Sequence, residues 1–188
     1  MNVAVYSGSF NPLHIGHLAI IKHLIYKAGF DAVYLIVSPK NPLKDNISSG
    51  SALERYKAAE EAVARHFNSA DRMVLVDDIE ITMPEPHYSI NTLEALQRRE
   101  PDNSFTLIIG ADNLADIRRW KDYGRILSEY GVAVFPREGY GLDKIKQDFL
   151  CENPAYKIRL IDAPLVTVSS TEIREARSKG EDVSHLLM

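Results

Sequence analysis

The sequence predicts a doubly wound α/β fold, a mostly parallel sheet with helices on both faces. Three observations predict it. Short runs of β-branched and apolar residues alternate along the chain with longer amphipathic segments. Several of those runs, AVYLIV and FTLII among them, show little polar alternation, as expected of strands covered on both faces. The clusters of unusual chemistry follow directly after the apolar runs, where a parallel sheet gathers its ligands.

In chain order, strands are expected at residues 3–6, 32–37, 73–76, 105–109, 132–135 and 157–161. Helices are expected at 16–28, 52–67, 89–99, 120–129, 142–150 and 171–178. The first helix follows a Gly- and Pro-containing turn. The second carries Leu53, Tyr56, Ala59, Val63 and Phe67 along one face. The polar stretch 39–51, rich in Pro, Asn, Ser and Gly, reads as a long loop, and 83–87 with its two prolines as an irregular approach to the third helix. Repeated strand–helix order implies right-handed crossovers. No repeat or linker divides the chain, so its 188 residues are read as one domain with a sizeable core.

A formal charge of -4 argues against a broad basic face, so no nucleic-acid partner is expected and any anion must be held by a local site. The single cysteine, Cys151, excludes an intramolecular disulfide and a Cys-based zinc site. There is no secretory signal pattern and no apolar stretch long enough to span a bilayer. A cytoplasmic enzyme without a membrane partner is the resulting expectation. The oligomeric state stays open, a homo-oligomer included.

Two segments carry chemistry. In YSGSFNPLHIGHL, Gly8 and Ser9 allow a tight turn, Pro12 fixes φ before a helix, and Gly16 leaves room for close approach. His14 and His17, three apart at that helix start, can face the same side, beside N–H groups that suit polyphosphate. A His-x-x-His zinc site is the competing reading, but no Cys cluster or nearby carboxylate completes it. The loop matches neither a Walker A sequence nor a dinucleotide fingerprint. Near the other end, VSSTEIREA starts a helix with Ser169, Ser170 and Thr171 at its cap and Arg174 one turn in, a fork-shaped phosphate donor; a plain capped helix with a solvated Arg174 is the alternative.

GSFNPLHIGH resembles the HxGH signature of the nucleotidyltransferase superfamily, in the form found in nicotinate and nicotinamide mononucleotide adenylyltransferases, and VSSTEIR is similar to their second signature, ISSTxIR. The resemblance, which spans nearly the whole chain, implies a Rossmann-like nucleotidyltransferase fold. It also implies adenylyl transfer from ATP with release of pyrophosphate. His14, His17 and Arg174 become the catalytic candidates. Gly8, Ser9, Phe10, Gly110, Asp112, Arg137, Ser170 and Thr171 join them as ATP-binding candidates. SPKNPLK departs from the common PPHK form in lacking its His, but Lys44 matches the terminal lysine that would contact phosphate.

The stretch from Gly110 to Trp120 resembles the GxDxxxxxxxW pattern of the bacterial nicotinate mononucleotide enzymes, in which the Trp stacks on the pyridine ring. HYSINTL resembles their YTxxTL segment, making Ser89 and Thr92 candidates for the acceptor's carboxylate. Unaided, Trp120 reads as a packing residue, and Ser89 or Thr92 as a helix cap. ATP and nicotinate mononucleotide are thus the implied partners, with Mg²⁺ carried by ATP and no protein metal site. Nicotinamide mononucleotide, phosphopantetheine and a non-catalytic nucleotide-binding role remain the alternatives.

Overall fold

The structure, a computed structural model, describes residues 1–39, 51–68, 73–165 and 167–188. Six strands form its sheet: β1 (Asn2–Gly8), β2 (Ala32–Val37), β3 (Val74–Asp77), β4 (Ser104–Gly110), β5 (Val132–Phe135) and β6 (Ile158–Leu160). Their order is β3-β2-β1-β4-β5-β6, and every pairing is parallel. The register is set by buried strands: Val3 pairs with Ala32 on one side and Phe105 on the other. All six residues of β2 are buried, so this run needs cover on both faces.

That cover comes from helices wound in two directions. α1 (Ile15–Tyr26) and α2 (Ala52–His66) bury Ile20, Ile21, Leu24, Ala59, Ala62 and Val63 against Ala4, Tyr6, Leu35 and Val37. On the other face lie α4 (Ser89–Arg99), α5 (Ala111–Asp116) and α7 (Leu142–Glu152). Leu93, Leu96, Leu114 and Phe149 from these helices pack on Val3, Val5 and Ile36. Alternate residues of β1 therefore feed opposite cores, the period-two consequence of the pleat.

Strand order reverses between β1 and β4, which opens a crevice beyond their carboxyl ends. The segments after β1, β4 and β5 all emerge at this edge, as the sequence leads one to expect.

Three details differ from the sequence expectation. The short helices α3 (Ile79–Thr82) and α5 carry no sequence signal, being too brief for a 3.6-residue period to register. The helix expected at 120–129 is broken. A 3₁₀ turn, Ile117–Arg119, ends at an extended Trp120 (φ -81°, ψ 146°), and Asp122 then adopts the left-handed region (φ 51°). A right-handed helix cannot run through that residue, though Asp tolerates the conformation better than most. α6 (Tyr123–Arg125) follows and widens into a π-helix, Ile126–Tyr130, closed by a hydrogen bond from Gly131 N–H to the Ile126 carbonyl. The last helix, α8 (Ser170–Ser178), forms where expected. No helix among the described residues is long and apolar enough to cross a membrane.

Candidate active site

The loop leaving β1 is built around two rings. Phe10 takes a left-handed backbone (φ 44°), unusual for an aromatic residue, and its own ring is core, 5% exposed. That ring sits edge-on to Tyr6 (5.5 Å) and to His17 (5.3 Å). Gly8 makes room for it, because a Cβ there would come within 3.1 Å of the Phe10 ring. Of the ATP candidates in this loop, the Gly8 α-carbon and the Phe10 side chain thus serve each other, while the Gly8 carbonyl accepts from Ser38 N–H and the Ser9 carbonyl from Arg55.

His14 is the N-cap of α1 and His17 its third residue, and the pair form a reciprocal cap. Gly16 N–H donates to His14 Nδ1 and His14 N–H donates to His17 Nδ1, each at 3.2 Å. Because each Nδ1 accepts, a neutral ring must carry its proton on Nε2, so both histidines present Nε2–H donors. The rings lie nearly stacked, centroids 3.7 Å apart at 31°. Burial is the main reason the His14 pKa falls to about 4, with Arg137 adding to it. Burial also depresses His17 well below the usual imidazole value, helped by His14 and Arg137. Both rings are therefore neutral donors at pH 7.

The second motif reaches the first across the whole chain. Ser169 caps α8 reciprocally with Glu172, accepting from Glu172 N–H at 3.2 Å while its own N–H donates to Glu172 Oε2 at 2.9 Å. From that helix start Ser170 Oγ donates to the Pro12 carbonyl at 3.0 Å. Arg174 donates to the Asn11 carbonyl at 2.7 Å and to Thr171 Oγ1 at 3.1 Å. The N-termini of α1 and α8 are thereby fastened to one loop, and two sets of helix-start N–H groups serve one place.

Across the switch point, Asp112 sits in the first turn of α5, 3.7 Å from Arg137 Nε. A Cβ on Gly110 would run into the Asp112 carboxylate and come within 3.3 Å of Arg137. Arg137, just past β5, lies 5.2 Å above the Phe135 ring and acts electrostatically on Tyr6, His14 and His17, which places it in the same crevice.

The acceptor candidates lie on the other face. Ser89 opens α4 and is partly exposed. Thr92, 2% exposed, is committed elsewhere, since its hydroxyl donates to Glu80 Oε1 at 2.8 Å. Trp120 is half-buried against the same core as Tyr88, and Lys121 lies 5.1 Å over the Tyr88 ring, so the two acceptor segments are neighbours. Lys44 lies outside the described residues.

Two residues here have no sequence signal that marks them. Glu80 is a buried carboxylate touching Ser7 and Thr92. Arg55 lies on α2 but bonds back to the loops after β1 and β2. In the sequence each is one charge among many on an ordinary segment.

A reversing parallel sheet with two imidazoles and two guanidinium groups gathered at its switch point can hold a polyphosphate, as a nucleotidyltransferase requires. The family model described as Cytidylyltransferase-like matches residues 5–176. A protein of Flavobacterium psychrophilum named "Probable nicotinate-nucleotide adenylyltransferase" is 36% identical over 100% of this chain and 92% of its own length. One of Bacteroides fragilis with the same name is 37% identical over 97% of this chain and 85% of its own. The fold is also that of the Plasmodium falciparum nicotinic acid mononucleotide adenylyltransferase complexed with NaAD, with TM-score 0.77, 18% identity, and coverage of 97% of this chain and 86% of that one. The chain belongs to the nicotinate-nucleotide adenylyltransferase family.

Proposed function

We propose that this chain, acting as a single domain, transfers the adenylyl group of ATP to nicotinate mononucleotide, giving nicotinate adenine dinucleotide and pyrophosphate. The observation that carries the reading is the meeting of Arg174 and Ser170 with the Asn11–Pro12 carbonyls beside the paired histidines. Such an arrangement suits in-line transfer, which needs positioning and charge neutralisation more than a protein nucleophile.

In this mechanism a phosphate oxygen of the acceptor, already anionic, attacks the α-phosphorus of ATP. The bond from that phosphorus to the bridging oxygen breaks, and pyrophosphate leaves with its electron pair. His14 and His17 donate from Nε2 to phosphate oxygens as charge builds on them. Arg174 and the open N–H groups of α8 hold the departing β- and γ-phosphates, with Ser170 and Thr171 at the same helix end. Gly110, Asp112 and Arg137 bound the adenosine side, and the backbone of Gly8, Ser9 and Phe10 the phosphate path. Lys44 would add positive charge. On the acceptor side Trp120 stacks on the pyridine ring, while Ser89 and the N–H groups opening α4 receive its carboxylate. With its hydroxyl given to Glu80, Thr92 supports that helix start.

The family's use of ATP implies a divalent cation, proposed here as Mg²⁺. No group of three His, Cys, Asp or Glu that could cage a metal occurs among the described residues. The donors present fit an ion held by polyphosphate and water, where it would neutralise phosphate charge. A cytoplasmic setting goes with ATP as donor.

Pyrophosphate release from ATP and Mg²⁺, measured with nicotinate and nicotinamide mononucleotide side by side, tests the reading. Strong preference for the acid is expected. Preference for the amide would overturn the acceptor assignment, and no release with either would overturn the reaction. His17→Ala should lose on the order of 10²-fold or more in turnover with its fold intact; undiminished turnover would sink the mechanism.

A further inference from the structure

Arg55 belongs to α2, yet its guanidinium leaves the helix and donates to three carbonyl oxygens on two loops. Nη1 donates to Ser9 at 2.6 Å and to Ser38 at 2.9 Å, and Nη2 donates to Pro39 at 3.1 Å. Ser9 leaves β1 and Ser38 leaves β2, so one side chain ties together the exits of neighbouring strands on the crevice edge. No carboxylate pairs with Arg55 among the described residues. Among the described residues its donors meet only neutral carbonyls, which leave its charge in place, and partial burial weakens the screening of that charge.

The bond to Ser9 has a consequence for the peptide that follows. In a planar trans peptide the C=O and N–H point opposite ways. Fixing the Ser9 carbonyl on Arg55 therefore fixes the Phe10 N–H on the far edge, where it takes up no hydrogen bond among the described residues. Phe10 itself holds a left-handed backbone that its surroundings must impose, and its ring orients His17 by an edge-on contact. The tie from Arg55 thus reaches, through Ser9 and Phe10, a ring of the histidine pair.

We propose that Arg55 is a positioning residue for nucleotidyl transfer: by holding the Ser9, Ser38 and Pro39 carbonyls it locks the β1 and β2 exit loops in the geometry that presents the Phe10 N–H and His17 to the nucleotide's phosphates. The proposal rests on the adenylyl-transfer reading. A plain structural staple would alter stability and little else, whereas a positioning residue alters turnover in the folded enzyme. Displacement of reacting groups by about 1 Å costs on the order of 10²-fold in rate.

The test compares wild type, Arg55→Ala and Arg55→Lys by steady-state pyrophosphate release, with thermal unfolding of each run alongside. Wild-type release is the control that separates failure of the reaction reading from failure of this one. At a temperature where all three are folded, Arg55→Ala should lose on the order of 10²-fold in kcat/KM. Arg55→Lys, which keeps the charge but not the fork, should lose most of that as well. Methylguanidinium added to Arg55→Ala should restore turnover several-fold (about 3 to 10 times) without raising its unfolding temperature. If Arg55→Ala does not fold, Arg55→Lys alone decides: a loss of about 10-fold or more in the folded enzyme supports the proposal. Turnover of either folded variant within about threefold of wild type overturns it, as does a loss in Arg55→Ala that methylguanidinium leaves unchanged.

Discussion

Gly110 has an ordinary extended backbone (φ -80°, ψ 164°), so it is needed for space and not for conformation. The space is already taken by the Asp112 carboxylate, the Phe135 ring at 3.2 Å and Arg137 at 3.3 Å, measured from where a Cβ would stand. Gly110→Ala must push the Asp112–Arg137 pair outward, into the volume assigned to the nucleotide. Because both side chains of that pair are partly exposed, stability should change by less than about 1 kcal/mol. The KM for ATP should rise about 10-fold or more, since displaced groups bind at the wrong distance. Steady-state kinetics beside a thermal melt checks both halves; an unchanged KM would remove Gly110 and Asp112 from the nucleotide site. Sequence alone marks Gly110 only through resemblance, since a glycine after a strand is common. Arg55 and Glu80 show the opposite problem. Each reaches one partner far along the chain, Arg55 to Ser9 over 46 residues and Glu80 to Ser7 over 73, and no local pattern encodes a contact at that separation.

Among the elements, α8 shows how a local signal becomes a long-range one. Ser169 and Glu172 form the capping box that the spacing S-x-x-E advertises, and it fixes where the helix begins. That start point determines whether Ser170 meets Pro12 and Arg174 meets Asn11. Ser169→Ala should cost about 1 kcal/mol, lowering Tm by roughly 2–4 °C for a chain of this size. Turnover should fall further than the stability loss explains, because Arg174 loses its register on the loop. Calorimetry and pyrophosphate release on the same preparation would show it; a melt shifted as expected with turnover intact would mean that α8 only braces the loop. The strands of this fold are legible for a related reason: apolar runs buried on both faces, such as β2, need no partner to be recognised. Helices of four to six residues are not, and the left-handed Asp122 that breaks the segment after Trp120 is invisible to periodicity.

At the scale of the molecule, the imidazole pair couples folding and binding to protons. For His14 the unfolded value is 6.5 and the folded value about 4. Between those two pH values the unfolded chain holds a proton at this ring that the folded chain refuses, so stability rises with pH across the window. It is complete above about pH 6.5 and is lost as pH falls toward 4, with His14 and His17 acting in the same direction. Denaturant melts should therefore show stability falling below about pH 6.5, and His14→Asn should flatten that dependence. Polyphosphate reverses the sign, since an anion beside the Nε2 donors favours the imidazolium and raises both values. ATP binding at about pH 5.5 should then draw protons from solution, and at about pH 8 it should not. Titration calorimetry in two buffers of different ionisation enthalpy measures that uptake directly, and the His14→Asn, His17→Asn double variant subtracts the protons that ATP itself exchanges. Equal uptake by wild type and double variant would place the phosphates away from this pair, and with them the whole assignment of the crevice.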